Sequence, residues 1–518
     1  MSSELLPSGS GDTWPADSLT AGESLTAGES LTAGEGRERP SRRRDIQGLR
    51  ALAIAGVVVY HARPSILGGG YVGVDVFFVV SGFLITGLLW RELEATGTIS
   101  PSRFYAGRAR RLLPSSALVT ASTVVAAALL LSPLQVESVV KDALAASFYV
   151  ANYRFALESS SYLNATAPLS PLQHYWSLGV EEQFYLLWPL LLVAFSLVWW
   201  RRGTQGRARR PSRPTAAIAI AVLAAASFAL CWHLTATDEP WAFYALPPRA
   251  FELALGGLVA LGERRLARLP KDVAAATGWV GLVLVVASMA RFGAETAFPG
   301  SAVLAPVLGT AGVLAAGCAR SRLGPALVLD RAPLQWLGEV SYTLYLWHFP
   351  VLVLAPDALG HALTPLQSAL AVTLALALAV LTCLAVERPI RFSTWLSLQR
   401  AWSLLTGGAL SVAAAAVAVL VFASQPSLVG SGVIHVAALA SRPFPPAADD
   451  PLAGPRRVHP GAPAEAPRPL HLTFAEEQRA MIEDLDTQIA SVVAGSAREV
   501  VPRNVEPPLA QASADEPA

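Results

Sequence analysis

Two ionisable side chains interrupt an apolar stretch of this sequence, VVVYHARPSILGGGYVGVDVFFVVSGFLI at residues 57–85. His61 and Asp75 lie on either side of its Gly-rich turn. A charged side chain within a membrane span costs roughly 2.5–3.5 kcal/mol and usually marks a functional site. A neutral imidazole near a carboxylate suits proton abstraction from a hydroxyl, because its unperturbed pKa lies near neutral pH. We therefore take His61 as the candidate general base, with Asp75 orienting it or balancing the developing imidazolium.

Charged residues also recur at the opposite ends of the apolar runs, and arginine dominates there. Guanidinium groups bind phosphate bidentately, so clustered arginines are typical of a site for a phosphate-bearing molecule. Taken singly, the same arginines can serve only as anchors at a membrane surface, and Glu181 and Glu182 can simply pair with Arg249. The arginine end contains Arg50, Arg108, Arg110, Arg111, Glu387, Arg388 and Arg391, and the His61 end contains Glu181, Glu182, Arg249, Glu252 and His348.

Composition indicates an integral membrane protein. Of 518 residues, 53% are hydrophobic and 15% are charged, with a mean hydropathy of +0.44, whereas a soluble domain has about 25% charged residues. A formal net charge of +1 gives no indication of nucleic-acid binding. The three cysteines lie in or beside apolar runs, and the histidines lack ligand spacing, so we expect neither disulfides nor a metal site.

Eleven apolar runs predict an all-α polytopic protein with about 10–11 transmembrane helices. Lys and Arg collect in alternate loops, which places the N-terminus in the cytoplasm and the C-terminal tail outside the inner (plasma) membrane. The predicted spans are 46–63, 71–90, 113–131, 177–200, 214–233, 247–262, 273–290, 301–318, 334–354, 366–386 and 402–423.

Four segments follow from this reading. Residues 1–44 are polar, repeat the hexad SLTAGE three times, and are predicted to be a disordered cytoplasmic tail. Residues 45–400 form the main transmembrane domain and 401–423 an additional transmembrane helix. Residues 424–518 begin Pro-rich and are predicted to be an extracytoplasmic linker that contains a short amphipathic helix.

Six motifs occur in the order and spacing of the acyltransferase-3 family, over about residues 42–395. They are DIQGLRALAIAGVVVYH, GGYVGVDVFFVVSGFLIT, FYAGRARRLLP, HYWSLGVEEQFYLLWP, VSYTLYLWHFP and VERPIR. The sequence therefore resembles the membrane O-acyltransferases that modify bacterial surface sugars, such as O-antigen acetylases. That resemblance implies acyl-CoA, with acetyl first, as the donor and a carbohydrate or glycolipid as the acceptor.

The resemblance also implies roles for particular residues. The arginine of the first motif, the histidine that ends the first span and an Arg-x-x-Arg pair are functional in the family. They fall here on Arg50, His61, and Arg108 with Arg111, and Gly107 stands where the family commonly has a second arginine. Arg108 and Arg111 would grip the 3′-phosphate or pyrophosphate of CoA, with Arg50 supporting them. The supporting positions in the motifs are Asp75, Glu182, His348 and Glu387.

Long members of the family carry an extracytoplasmic SGNH domain after an eleventh span and a linker. The segment VPRNVEPPLAQASADEPA resembles the end of that linker. We therefore expect a truncated or naturally shortened member of the SGNH-fused group, with a separate SGNH-type protein as a candidate partner.

The sequence thus predicts an enzyme that moves an acyl group from cytoplasmic acyl-CoA to a hydroxyl of an extracytoplasmic carbohydrate. The alternative is a transporter or flippase of an acylated sugar or lipid, which polar residues at both ends would also fit. Two features weigh against the alternative, because the spans show no internal repeat and the His61–Asp75 pair lies away from the midplane. A third class is an inactive sensor or scaffold.

The topology predicts where a fused reporter will work. A reporter that is active only outside the cytoplasm should function after Ala518 and fail after Arg400, in the last cytoplasmic loop. Reporter activity is measured in intact cells and normalised to the immunoblotted amount of each fusion. The opposite pattern would overturn the eleven-span topology and the outer placement of His61.

Overall fold

The structure, a computed structural model, describes residues 43–160, 168–201 and 212–425. Nearly all of the predicted N-terminal tail, and the predicted C-terminal linker with its amphipathic helix, lie outside the described residues. The described residues form helices and turns, with no strand among them. The prediction of an all-α polytopic membrane protein is confirmed.

Helices follow one another with short connections. In chain order they are α1 (Arg44–Ala62), α2 (Gly73–Thr96), α3 (Pro101–Leu130), α4 (Pro133–Ser147), α5 (Ala151–Ser159), α6 (Tyr175–Arg201), α7 (Arg213–Thr237), α8 (Glu239–Tyr244), α9 (Leu246–Leu266), α10 (Lys271–Arg291), α11 (Leu304–Ala319), α12 (Ala326–Leu329), α13 (Ala332–Leu359), α14 (Pro365–Thr382), α15 (Arg388–Arg391), α16 (Thr394–Leu398) and α17 (Arg400–Ser424). A 3₁₀ turn, Gly70–Val72, leads into α2, and a π-helical turn, Cys383–Glu387, follows α14.

A helix lies at each of the eleven predicted spans. Within the described residues, seven helices are long and apolar enough to cross a membrane: α2, α3, α6, α7, α10, α14 and α17. Helix α11 is apolar but has only 16 residues. Helices α1, α9 and α13 fall outside this set and carry many of the charged and polar side chains described below.

Helix starts follow local sequence signals. Pro101 opens α3 at a position where its missing N–H removes no helical hydrogen bond. Ser132 caps α4 and Thr364 caps α14, each paired with a Gln three residues later in a capping box. Helix α14 begins one residue before its predicted span, whereas α3 begins twelve residues before its predicted start at 113 and α4 lies between predicted spans.

Helix α2 lies at the centre of the fold. Its most apolar window is 78% buried, against 22% for α7 and for α17, so the latter two present most of their surface to the surroundings. A Cβ added to Gly82 would stand 1.8 Å from the carbonyl oxygen of Leu253, and one on Gly256 would stand 2.0 Å from that of Val79. Helices α2 and α9 therefore touch backbone to backbone, as small residues permit in membrane bundles.

Candidate active site

Two histidines meet where α1 ends. Nδ1 of His61 lies 3.1 Å from Nε2 of His348, which α13 carries. The ring of His61 also packs edge-on against Phe349, with centroids 4.8 Å apart. His348 is fully buried, whereas His61 remains partly exposed. The structure thus brings together two of the predicted site residues, with His61 as the accessible member of the pair.

Hydrogen bonds to the backbone determine which nitrogens of this pair carry protons. Nδ1 of His348 lies 2.7 Å from the carbonyl oxygen of Tyr345 and 3.1 Å from that of Leu344. A carbonyl only accepts, so this Nδ1 is the protonated nitrogen and, in neutral His348, Nε2 is an acceptor. Nδ1 of His61 therefore donates to His348, which leaves Nε2 of His61 with a free lone pair. That nitrogen is placed to accept a proton.

A third histidine, His174 at the start of α6, completes an aromatic cluster. Its ring centroid lies 5.7 Å from that of His348 and 5.1 Å from that of Phe349. Nε2 of His174 donates to the carbonyl oxygen of Leu346, and its buried Nδ1 has no hydrogen-bond partner among the described residues.

Within the described residues no group of three or more His, Cys, Asp or Glu is arranged to hold a metal ion.

Asp75 takes a different position from the one expected. Its carboxylate accepts a hydrogen bond of 2.5 Å from Arg249, whose Nε lies 3.0 Å from Glu252. All three side chains are at most 1% exposed. A buried carboxylate needs a cation, and the first turn of α9 supplies Arg249 to Asp75 in the first turn of α2. The contact to His61 that the sequence analysis assigns to Asp75 is therefore made by His348.

Aromatic rings enclose the Arg249 guanidinium. Its central carbon lies 5.6–5.8 Å from the centroids of four rings, those of Phe78, Trp176, Phe243 and Phe298. Such contacts partly replace lost hydration. The alternative pairing of Glu181 and Glu182 with Arg249 is not what the structure has, since Asp75 and Glu252 occupy that guanidinium.

A narrow cavity of about 70 Å³ lies between the arginines and the histidine cluster. It extends along α2 from Val74 to Leu84, a distance of about 15 Å at the helical rise. Tyr345 lines the cavity, and its ring centroid lies 5.4 Å from that of His348. One aromatic ring thus stands between the cavity and the histidine pair.

The three predicted arginines gather on this cavity. Arg50 from α1 and Arg108 and Arg111 from α3 all line it. Arg50 donates to the Ser341 hydroxyl at 2.8 Å, and the Arg108 guanidinium lies 4.7 Å from the centroid of the Tyr185 ring. Arg110, between the pair, points elsewhere and donates to the Leu396 carbonyl and the Ser403 hydroxyl. The Arg-x-x-Arg spacing therefore puts two guanidinium groups at one end of the cavity.

Glu181 lies deeper than the sequence analysis expects. It accepts hydrogen bonds from Ser81 and from Tyr185, the latter at 2.8 Å, and it lines the same cavity as Arg108. Glu182 lies within electrostatic range of Arg108 and Arg111. Both carboxylates thus belong with the arginines rather than with the histidines.

Glu387 is buried and is not among the residues that line the cavity. Its carboxylate pairs with Arg391 one turn later, at 3.2 Å. Arg388 lies 3.6 Å from Glu339 of α13. These contacts join the turn after α14 to α15 and α13.

Sequence reasoning missed several residues that the fold brings to the site. Tyr345 and Ser177 share a hydrogen bond of 2.5 Å beside the cavity, and His174 contacts His348. All three lie inside motifs quoted above. Tyr345 precedes His348 by three residues and so lies on the same face of α13, which was the available signal.

The chain matches the acyltransferase-3 family, described as an acyltransferase domain, over residues 43–388. That range is more than half of the chain and includes both histidines of the pair and the three arginines of the cavity. The chain belongs to this family of acyltransferases.

Curated relatives match over much of the same region. A candidate peptidoglycan O-acetyltransferase, YrhL, of Bacillus subtilis (strain 168) is 32% identical over 371 residues, which are 68% of this chain and 56% of the relative. The peptidoglycan O-acetyltransferase OatA of Listeria monocytogenes (serovar 1/2a) is 32% identical over 325 residues, 61% of this chain and 50% of the relative. The O-acetyltransferase OatA of Staphylococcus aureus (strain NCTC 8325) is 31% identical over 318 residues, which are 60% of this chain and 50% of the relative.

The chain therefore spans about half the length of the curated relatives it matches. No solved structure matches it significantly.

Removing Arg249 should destabilise the protein strongly. Arg249→Met leaves two buried carboxylates without their cation, and breaking a buried ion pair in this way costs about 3–5 kcal/mol. Thermal unfolding of the detergent-solubilised protein, followed by tryptophan fluorescence, measures the loss. Arg265→Met, which removes an exposed arginine from the same helix, is the matched control.

Removing the charges of Asp75 and Glu252 as well should restore part of the stability that Arg249→Met loses. The triple variant Asp75→Asn, Glu252→Gln and Arg249→Met is expected to unfold at a higher temperature than Arg249→Met alone. Equal unfolding temperatures for Arg249→Met and Arg265→Met would contradict the assigned role of the cluster.

Proposed function

We propose that this chain is a membrane-bound O-acetyltransferase. It moves an acetyl group from acyl-CoA at the cytoplasmic face to a hydroxyl of an extracytoplasmic cell-envelope carbohydrate. The observation that carries the proposal is the hydrogen-bond chain from the Tyr345 carbonyl through His348 to His61, which leaves Nε2 of His61 as a free acceptor at a partly exposed position. Membership of an acyltransferase family supports the reaction class.

The reaction follows from this arrangement. Nε2 of His61 takes the proton of the acceptor hydroxyl while that oxygen attacks the thioester carbonyl carbon of the donor. The tetrahedral adduct collapses, the C–S bond breaks, and the leaving thiolate receives the proton held by His61. The products are the sugar ester and free CoA. His348 holds the His61 ring in one tautomer and orientation throughout, which is the part that an orienting carboxylate takes in other histidine bases.

The donor is proposed to enter at the arginine end of the cavity. Arg50, Arg108 and Arg111 offer guanidinium groups to the phosphates of CoA, while the cavity leads about 15 Å along α2 toward Tyr345. A volume of about 70 Å³ holds only a few water molecules. The cavity must therefore widen before an acyl-pantetheine arm can occupy it.

The acceptor is proposed to be a cell-wall glycan. Two of the curated relatives are named as peptidoglycan O-acetyltransferases, one of them as a candidate. Peptidoglycan is accordingly the first acceptor to test. The basic loops support the proposed sidedness, because cytoplasmic loops are enriched in Lys and Arg and the arginine end of the cavity would then face the cytoplasm.

Transfer of labelled acetyl distinguishes an enzyme from a flippase or a scaffold. Purified protein is incubated with radiolabelled acetyl-CoA and soluble peptidoglycan fragments, and base-labile label on the glycan is counted. Label in an ester is the expected result. Translocation without ester formation would favour the transporter, and neither activity would favour the scaffold.

The two histidines should differ in how much activity they control. Replacing His61 with Ala removes the base and should lower kcat by roughly 10²–10⁴-fold. His348→Ala removes only the group that orients it, so we expect a smaller fall in kcat with the KM for acyl-CoA unchanged. Rates are measured by ester formation at equal amounts of folded protein.

His361→Ala is the matched control, because His361 is exposed beyond the end of α13. Its rate should equal that of the unmodified protein. A His61→Ala variant that retains more than about a third of the activity would exclude His61 as general base.

The arginines should control the affinity for the donor. Arg108→Ala or Arg111→Ala is expected to raise the KM for acyl-CoA more than the KM for the acceptor. Arg→Lys should restore the affinity only in part, because ammonium lacks the bidentate fork. Arg110→Ala is the control on the same helix, since Arg110 binds Leu396 and Ser403 instead. Equal rises in both KM values would contradict a donor-specific site.

A further inference from the structure

A second, larger cavity of about 710 Å³ lies where α1 begins, α11 ends and α13 begins. The loop between α11 and α12 and the short helix α12 complete its wall. None of its lining residues belongs to the histidine pair or to the arginine cavity described above. The proposed reaction leaves this cavity without a role.

Positive charge dominates the lining. Five arginines and two aspartates face the cavity, which gives a formal charge of +3. The lining arginines are Arg43, Arg44, Arg320, Arg322 and Arg331, and the aspartates are Asp45 and Asp330. An excess of this size in one recess favours an anionic ligand.

The protein itself neutralises only part of this charge. Arg43 forms a two-point contact with Asp45, with N–O distances of 2.9 and 2.8 Å, and also donates to the Leu314 carbonyl. Arg44 donates to the backbone carbonyl of Asp330 at 2.9 Å. Arg320 and Arg322 are exposed and make no hydrogen bond or ion pair with any residue that the structure describes. Two guanidinium groups therefore remain available at the mouth of the cavity.

Apolar side chains stand beside the free arginines. Leu323 is 65% exposed, Leu327 52% and Val328 45%, and Leu327 also lines the cavity. Trp336, in the first turns of α13, is 47% exposed, and tryptophan is typical of the membrane–water interface. The basic recess thus opens onto a surface suited to hydrocarbon chains.

We propose that this cavity binds the phosphate headgroup of an anionic phospholipid, with the acyl chains lying over Leu323, Leu327 and Val328. Basic pockets between transmembrane helices on the cytoplasmic side recognise lipid headgroups in this way. The apolar rim favours a lipid over a soluble nucleotide, because a nucleotide offers no hydrocarbon to cover it. The lipid joins the N-terminal end of α1 to the α11–α12 loop, and its binding does not depend on the proposed acyl transfer.

The test compares two double variants of the full chain in detergent. Arg320→Asn with Arg322→Gln removes the free cations; Asn suits position 320, where φ is +51°. Arg265→Gln with Arg268→Gln removes the same charge from exposed positions on α9 and the loop after it. Each protein is titrated with phosphatidylglycerol, phosphatidylcholine or adenosine 3′,5′-bisphosphate while its thermal unfolding is followed. Bound lipid is counted by native mass spectrometry.

Phosphatidylglycerol should stabilise the unmodified protein and the Arg265/Arg268 variant, and phosphatidylcholine should not. An arginine near an anionic headgroup contributes about fivefold in affinity, so the Arg320/Arg322 variant should need roughly thirtyfold more phosphatidylglycerol. Equal titrations for the two variants would overturn the site in favour of general surface charge. Stabilisation by the bisphosphate that disappears in the Arg320/Arg322 variant would overturn it in favour of a nucleotide site.

Discussion

A charge buried among apolar helices must have a partner of opposite sign, and this constraint organises the molecule around Arg249. Two carboxylates and four aromatic rings hold that guanidinium, and they come from α2, α6, α8, α9 and the loop between α10 and α11. Because neither Asp75 nor Glu252 can be left without it, the register of α2 against α9 has little freedom. The close glycine contacts around Leu253 and Val79 depend on that same register.

Helix α1 sets the distance between the arginine end and the histidine end of the site. Arg50 and His61 are eleven residues apart on one continuous helix, which corresponds to about 17 Å at the helical rise. Each residue is held by α13, Arg50 through Ser341 and His61 through His348. Contacts between α1 and α13 therefore fix both the arginine end and the histidine end of the site.

Periodicity and composition predict the helices well, because length and hydropathy are properties of each segment by itself. The sequence also predicts His61 and His348 at one end of the spans and the arginines at the other, since span ends can be read along the chain. The ion-pair partner of a buried charge cannot be read from the sequence in the same way. Asp75 follows His61 by fourteen residues, yet it pairs with Arg249, which is 174 residues further on. Nothing local to Asp75 distinguishes the two outcomes, because the choice depends on which helix packs against α2.

Prolines divide the walls of the narrow cavity into two kinds. The wall formed by α2 has no proline between Gly73 and Thr96, and its glycine contact holds its backbone close against that of α9. Three other walls carry an internal proline past the last lining residue of the helix: Pro114 in α3, Pro189 in α6 and Pro350 in α13. A proline within a helix removes the hydrogen bond to the carbonyl four residues earlier, here those of Arg110, Tyr185 and Leu346. The α2 wall is thus the rigid side of the cavity, and the proline-containing helices form the sides that can bend.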